Sequence, residues 1–151
     1  MYAQHTILRL FKALLVQRQV VWDNQEVEGV HQIRVAARRC RTALQTFAPL
    51  WNVDKVERYR KYLSRFADAF GVSRDLDVMV IYLREQQAAA RGERAEAYRW
   101  LLERNIEQRR QEQPRLKKTL LRLEKQGFAS EFVNHFAKQP VNLWAGGRPD
   151  G

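Results

Sequence analysis

Apolar residues in this chain recur every three or four positions, and that spacing constrains its fold more than any other feature. Residues one helical turn apart share a face, so the pattern builds amphipathic helices, whereas strands need strict alternation. No alternating run with Asn-Gly or Asp-Gly turns suggests a hairpin. Gly29, Pro49, Gly71, Gly92, Pro114, Gly127 and Pro140 punctuate the pattern rather than filling it. The expected fold class is all-α, an antiparallel helical bundle with one long basic helix.

The spacing predicts helices over about 3–22, 29–48, 54–70, 74–90, 93–126 and 128–138. Leu8, Phe11, Leu14 and Leu15 supply much of the first apolar stripe, and Tyr59, Tyr62, Phe66 and Phe70 line the third. Ser73 reads as an N-cap for the fourth helix, with Asp75 and Asp77 in its first turn at the positive end of the helix dipole. Pro114 lacks a backbone donor, so a kink or a break is expected inside the long segment. Cys40 lies on the apolar stripe of the second helix and reads as a small core residue. At 151 residues the chain suits one domain, residues 1–139, followed by a flexible tail over 140–151.

Charge then separates the helices. Lys and Arg number 27 against 17 Asp and Glu, a formal surplus of +10, and 20 of those cations are Arg. The Arg fork suits phosphate oxygens better than the hydrated point charge of Lys, so a polyanionic partner is expected. On a helical wheel Arg34, Arg38, Arg41, Thr42 and Gln45 fall within about 80° of His31. Ile33, Ala37, Cys40, Leu44 and Phe47 take the opposite side, with Arg39 on the flank. No acidic residue occurs from Gly29 to Val53, so the stacked cations lack the local partners that surface helices normally supply. An external anion is the economical compensation.

Arg58, Lys61 and Arg65 repeat the stripe more weakly on the next helix. Antiparallel packing of these two helices is expected to set both stripes along one groove, with Arg74 at its rim. Asp75 and Asp77 would steady the Arg side chains there. The basic stretch 108–126 is expected to line the groove in part.

Several function classes drop out. There is no phosphate-cradling G-x-x-x-x-G-K loop and no Ser-His-Asp arrangement, so no catalytic residue is assigned. A metal site is not expected, because no second His or Cys sits at ligand spacing and Asp75 and Asp77 point in different directions. His5 and His135 read as surface or structural. No apolar run is long enough to span a membrane and no secretory signal is evident, so the cytoplasm is the expected location. The four Trp share no spacing that would build a stacking platform for bases.

The stretch His31-Gln-Ile-Arg34-Val-Ala-Ala-Arg38-Arg39-Cys-Arg41, followed by Gly71-Val-Ser-Arg74-Asp75-Leu-Asp77-Val, resembles the signature of CHAD domains, the conserved histidine α-helical domains. Members of that family are helical modules that bind inorganic polyphosphate through a basic surface, and some are fused to triphosphate-tunnel enzymes. The resemblance implies polyphosphate-binding roles for His31, Arg34, Arg38, Arg39, Arg41 and Arg74, and extends to Lys61 and Arg65 in the next helix. It implies no catalysis and no cofactor, and a location at polyphosphate granules within the cytoplasm. A complete domain of this kind resembles two related four-helix halves, each with its own His and basic helix. No second His-x-x-Arg stretch follows here: His135 and Lys138 enclose Phe136 and Ala137. A truncated chain, or a homodimer that restores the two-half arrangement, is therefore expected. Gln32, Gln45 and Thr42 among the Arg residues leave an RNA or DNA backbone as the alternative partner. A docking or dimerisation module for a polyphosphate-related enzyme is the third reading.

Overall fold

Residues 1–23, 27–125 and 127–138 are described by a computed structural model. They form six α-helices: α1 (Tyr2–Asp23), α2 (Val27–Phe47), α3 (Val53–Asp68), α4 (Gly71–Ala89), α5 (Glu93–Lys125) and α6 (Phe128–Ala137). A 3-10 turn, Ala48–Leu50, carries Pro49 between α2 and α3, and no strand occurs among the described residues. The all-α expectation holds. The tail expected over 140–151 lies outside the described residues.

Local chemistry sets several boundaries. Asn52 caps α3, its Oδ1 accepting from the Lys55 amide at 3.0 Å. Gly92, between α4 and α5, and Gly127, before α6, adopt φ of 62° and 65°, the left-handed region that glycine enters without steric cost.

Two apolar clusters result. The larger joins α1, α2, α3, α6 and only the C-terminal part of α5, through Leu116, Leu120 and Leu123. Phe11 stacks on Phe132 at 4.0 Å and Tyr62 on Phe128 at 3.8 Å, so α6 plugs the space between α1 and α3. Cys40 is fully buried here, as expected, and burial pushes its thiol up to about 12. The smaller cluster is Val80, Leu83 and Leu102, with Tyr98 packed against it. It joins α4 to the first part of α5 as an antiparallel two-helix arm whose core is separate from that of the bundle.

Two expectations need correction at this arm. α4 begins at Gly71 rather than at 74, with Phe70 in the N-cap position and the Arg74 amide bonded to the Phe70 carbonyl at 3.0 Å. Ser73 is therefore a fully buried residue inside the helix and not a cap, and neither Asp75 nor Asp77 lies in the first turn. The reason is tertiary: the buried Phe66–Phe70 pair closes the α3–α4 corner early, so the helix starts before the capping residue. Pro114 does not break α5, which runs for 33 residues through it. Gln113 and Leu116 on either side are buried, and this packing carries the helix across the missing hydrogen bond.

Candidate anion-binding site

The site begins with α2. Ile33, Ala37, Cys40 and Leu44 are buried in the bundle core, which leaves the basic stripe on the outward side. His31, Arg34 and Arg41 are half-buried along it, and Arg38 and Arg39 are exposed. Among the described residues none of these four arginines has a carboxylate partner. The Nε of Arg41 is buried with no hydrogen-bond acceptor. Arg38 and Arg39 edge a shallow concavity of about 330 Å³ that they share with Tyr2, Thr6 and Leu10 of α1.

The expected groove between the α2 and α3 stripes is not what the structure builds. Arg65 of α3 faces α5 instead. With Tyr62, Phe66 and Ala69 it lines a hollow of about 350 Å³ whose other wall is Thr119 and Arg122. That hollow opens into a wider one of about 670 Å³, where Arg115, Lys118 and Arg122 face Asp68 and Val72. Lys61 and Arg65 line a third concavity on the same side, with Asp54, Glu57 and Arg58. The reason lies in packing: the apolar residues of α2 and α3 face one another, so the open side of α3 turns toward α5.

The charges in this groove are unevenly paired. Arg58 is held by Glu131 at 3.1 Å and leans over the Tyr59 ring, which removes it from the free cations. Glu57 is clamped by both Arg60 donors, at 2.6 and 2.8 Å, and the clamp holds its carboxyl below the usual range. Arg115 lies 3.8 Å from Glu112. Lys61, Arg65, Lys118 and Arg122 make no ion pair among the described residues. Of the groove cations on α5, Arg115, Lys118 and Arg122 follow helical spacing. That signal was readable in the basic stretch 108–126, but only the fold shows that they face Arg65.

The sequence profile of the CHAD domain family matches residues 5–149, nearly the whole chain and past the boundary drawn at 139. The chain belongs to the CHAD family. No curated protein and no solved structure matches it.

Within this CHAD domain the two motif carboxylates part company. Asp75 is exposed, whereas Asp77 is buried between α4 and α5 with its Oδ1 accepting from Arg109 Nε at 2.8 Å. Arg109 also donates to Gln113 Oε1 at 3.0 Å. Asp77 thus steadies an arginine, as expected of it, but one in the long helix that the motif does not contain. Arg74 is half-buried and close enough for its charge to act on Asp77. His5 is exposed, and His135 is half-buried against Tyr59 and Phe136. Burial and the charges of Lys55 and Lys138 hold the His135 imidazole below its ordinary pKa, which fits a structural place rather than an anion contact. No group of three or more metal-ligating residues, and no helix apolar enough to cross a membrane, occurs among the described residues.

Proposed function

We propose that this CHAD domain is a non-catalytic module that holds inorganic polyphosphate, the ligand class with which the family is associated in general. The observation that carries this reading is the groove between α3 and α5. Arg65, Lys118 and Arg122 converge there without a bonded carboxylate, and His31, Arg34, Arg38, Arg39 and Arg41 supply a second basic stripe on α2, a helix with no acidic residue from Gly29 onward. Guanidinium and ammonium groups in such a row offer successive charge-assisted hydrogen bonds to a linear chain of phosphates. Like charges held side by side also repel one another, so a polyanion stabilises the fold as it binds.

Inorganic phosphate is favoured over nucleic acid by what the groove lacks. Its aromatic rings are already engaged: Tyr62 is stacked on Phe128, and the buried Phe66 packs against Phe70. The exposed rings Tyr2, Trp22, Tyr82 and Trp100 lie outside it. Single-stranded nucleic acid is usually held by base stacking as well as by charge, and no platform for stacking lines this groove.

Titration of the chain with polyphosphate at fixed salt tests the proposal. Arg65→Ala/Arg122→Ala should weaken binding at least about tenfold, since each charge-assisted bond is worth roughly 1.5–3 kcal/mol before solvent screening. Arg34→Ala/Arg38→Ala should weaken it to a similar degree. The control Arg94→Ala/Arg99→Ala, on the arm, should leave it unchanged. Undiminished affinity in both site variants, with helical content intact, overturns the assignment. Displacement of polyphosphate by RNA at equal charge concentration would shift it to a nucleic-acid backbone.

A further inference from the structure

The groove between α3 and α5 limits how much of a phosphate chain it can hold, a limit that rests on the polyphosphate reading. Its three concavities are continuous. The hollow around Arg65 shares Tyr62 and Arg65 with the concavity toward Asp54, and Ala69, Thr119 and Arg122 with the wider one toward Pro114. Together they make one open trough along α3. Burial raises the pKa of the Tyr62 hydroxyl and the Arg122 charge opposes that rise, so the guanidinium of α5 reaches across toward α3.

Unpaired positive charge is confined to the middle of this trough. Lys61 and Arg65 lie one turn apart on α3, Lys118 and Arg122 one turn apart on α5, and each pair spans only about 6 Å of helix axis. All four are exposed and make no ion pair among the described residues. The ends carry no such surplus. Toward the start of α3, Arg58 is bonded to Glu131, Glu57 is held by Arg60, and Asp54 adds a carboxylate. Toward Pro114, Arg115 lies beside Glu112 and Asp68 adds a carboxylate. Beyond that end lies the arm, where eight Arg and eight Asp or Glu from Gly71 to Glu112 cancel. Nor does the trough run on into the stripe of α2, because the apolar faces of α2 and α3 meet between them and Arg38 and Arg39 edge a concavity shared with α1.

One cation to each phosphate gives a footprint of about three or four phosphate groups. We propose that the trough is a complete site for a short linear oligophosphate of that size. A long polyphosphate chain fills it with one segment, while the remainder reaches the stripe of α2. Length beyond the footprint then adds affinity only by linking the two stripes, at an effective concentration set by the intervening phosphates. Free tripolyphosphate and a nucleoside triphosphate offer the same triphosphate chemistry. The rings of the trough are engaged with other rings and leave no face for a base, so the inorganic form is the one that fits.

Calorimetric titration of the full chain at fixed salt with pyrophosphate, tripolyphosphate, ATP and long-chain polyphosphate tests this. Tripolyphosphate should bind one to one, and at least about tenfold tighter than pyrophosphate, which engages fewer of the cations. Arg65→Ala/Arg122→Ala should weaken tripolyphosphate at least about tenfold. Both side chains are exposed, so their loss leaves the core intact, and helical content checks that it has. Arg34→Ala/Arg38→Ala should weaken the long chain at least about fivefold more than it weakens tripolyphosphate, because only the long chain reaches both stripes. ATP should bind no tighter than tripolyphosphate, and ATP binding tenfold tighter would give the trough to nucleotides and overturn the proposal. Long-chain polyphosphate that binds while tripolyphosphate does not also overturns it. So does pyrophosphate as tight as tripolyphosphate, or an α2 pair that weakens both lengths equally. Each of these results leaves the polyphosphate reading standing, whereas failure of every phosphate chain to bind overturns both.

Discussion

Asp77 is almost wholly removed from water, and its Oδ2 finds no donor although Oδ1 is bonded to Arg109. Burial pushes its carboxyl above the ordinary 3.8, with Arg109 and then Arg74 pulling the other way. A buried pair of this kind adds little net stability compared with well-packed apolar residues, yet removing one partner strands the other. Asp77→Ala should therefore destabilise the chain by about 3–5 kcal/mol in urea unfolding. Asp77→Leu/Arg109→Leu should recover most of that loss, because neither charge is then left alone. An additive double variant would mean that the two side chains do not act as a pair. At this scale the motif was legible but its use was not. Sequence placed Asp77 at a helix start, and only the packing of α4 on α5 makes it the partner of a residue 32 positions away.

At the scale of elements, α5 sets the limits. Its 33 residues reach roughly 50 Å at ~1.5 Å per residue, far enough to serve both the arm and the bundle. Pro114 sits where one role passes to the other, between the buried Gln113 and Leu116. Proline in a helix interior costs about 3 kcal/mol, partly offset by about 0.4–1 kcal/mol from its stiffening of the unfolded chain. Pro114→Ala should thus raise stability by about 2 kcal/mol, read as a higher thermal midpoint. No gain would show that packing already absorbs the missing hydrogen bond. Helix existence was legible throughout from spacing, while two boundaries were not. Ser73 and Pro114 carry strong local signals for a start and a break, and buried neighbours at Phe70, Gln113 and Leu116 overrode both.

The whole molecule divides into a basic body and an arm of no net charge. The body rests on one large core, whereas the arm rests on Val80, Leu83 and Leu102. So few buried residues cannot hold the arm to the stability of the rest. Amides of residues 78–104 should exchange hydrogen well before those of Leu44, Leu63 and Leu120. Uniform protection across arm and body would show a single cooperative unit instead. What the sequence by itself determined is the helical class, the apolar stripes and the acid-free basic face of α2, because each depends only on neighbours within a few residues. What only the tertiary structure decided is which stripes meet. Arg65 faces α5 rather than α2, Arg58 is taken by Glu131, and Asp77 is claimed by Arg109. Those pairings join residues 32 to 73 positions apart, and no helical period specifies which distant face will close on which.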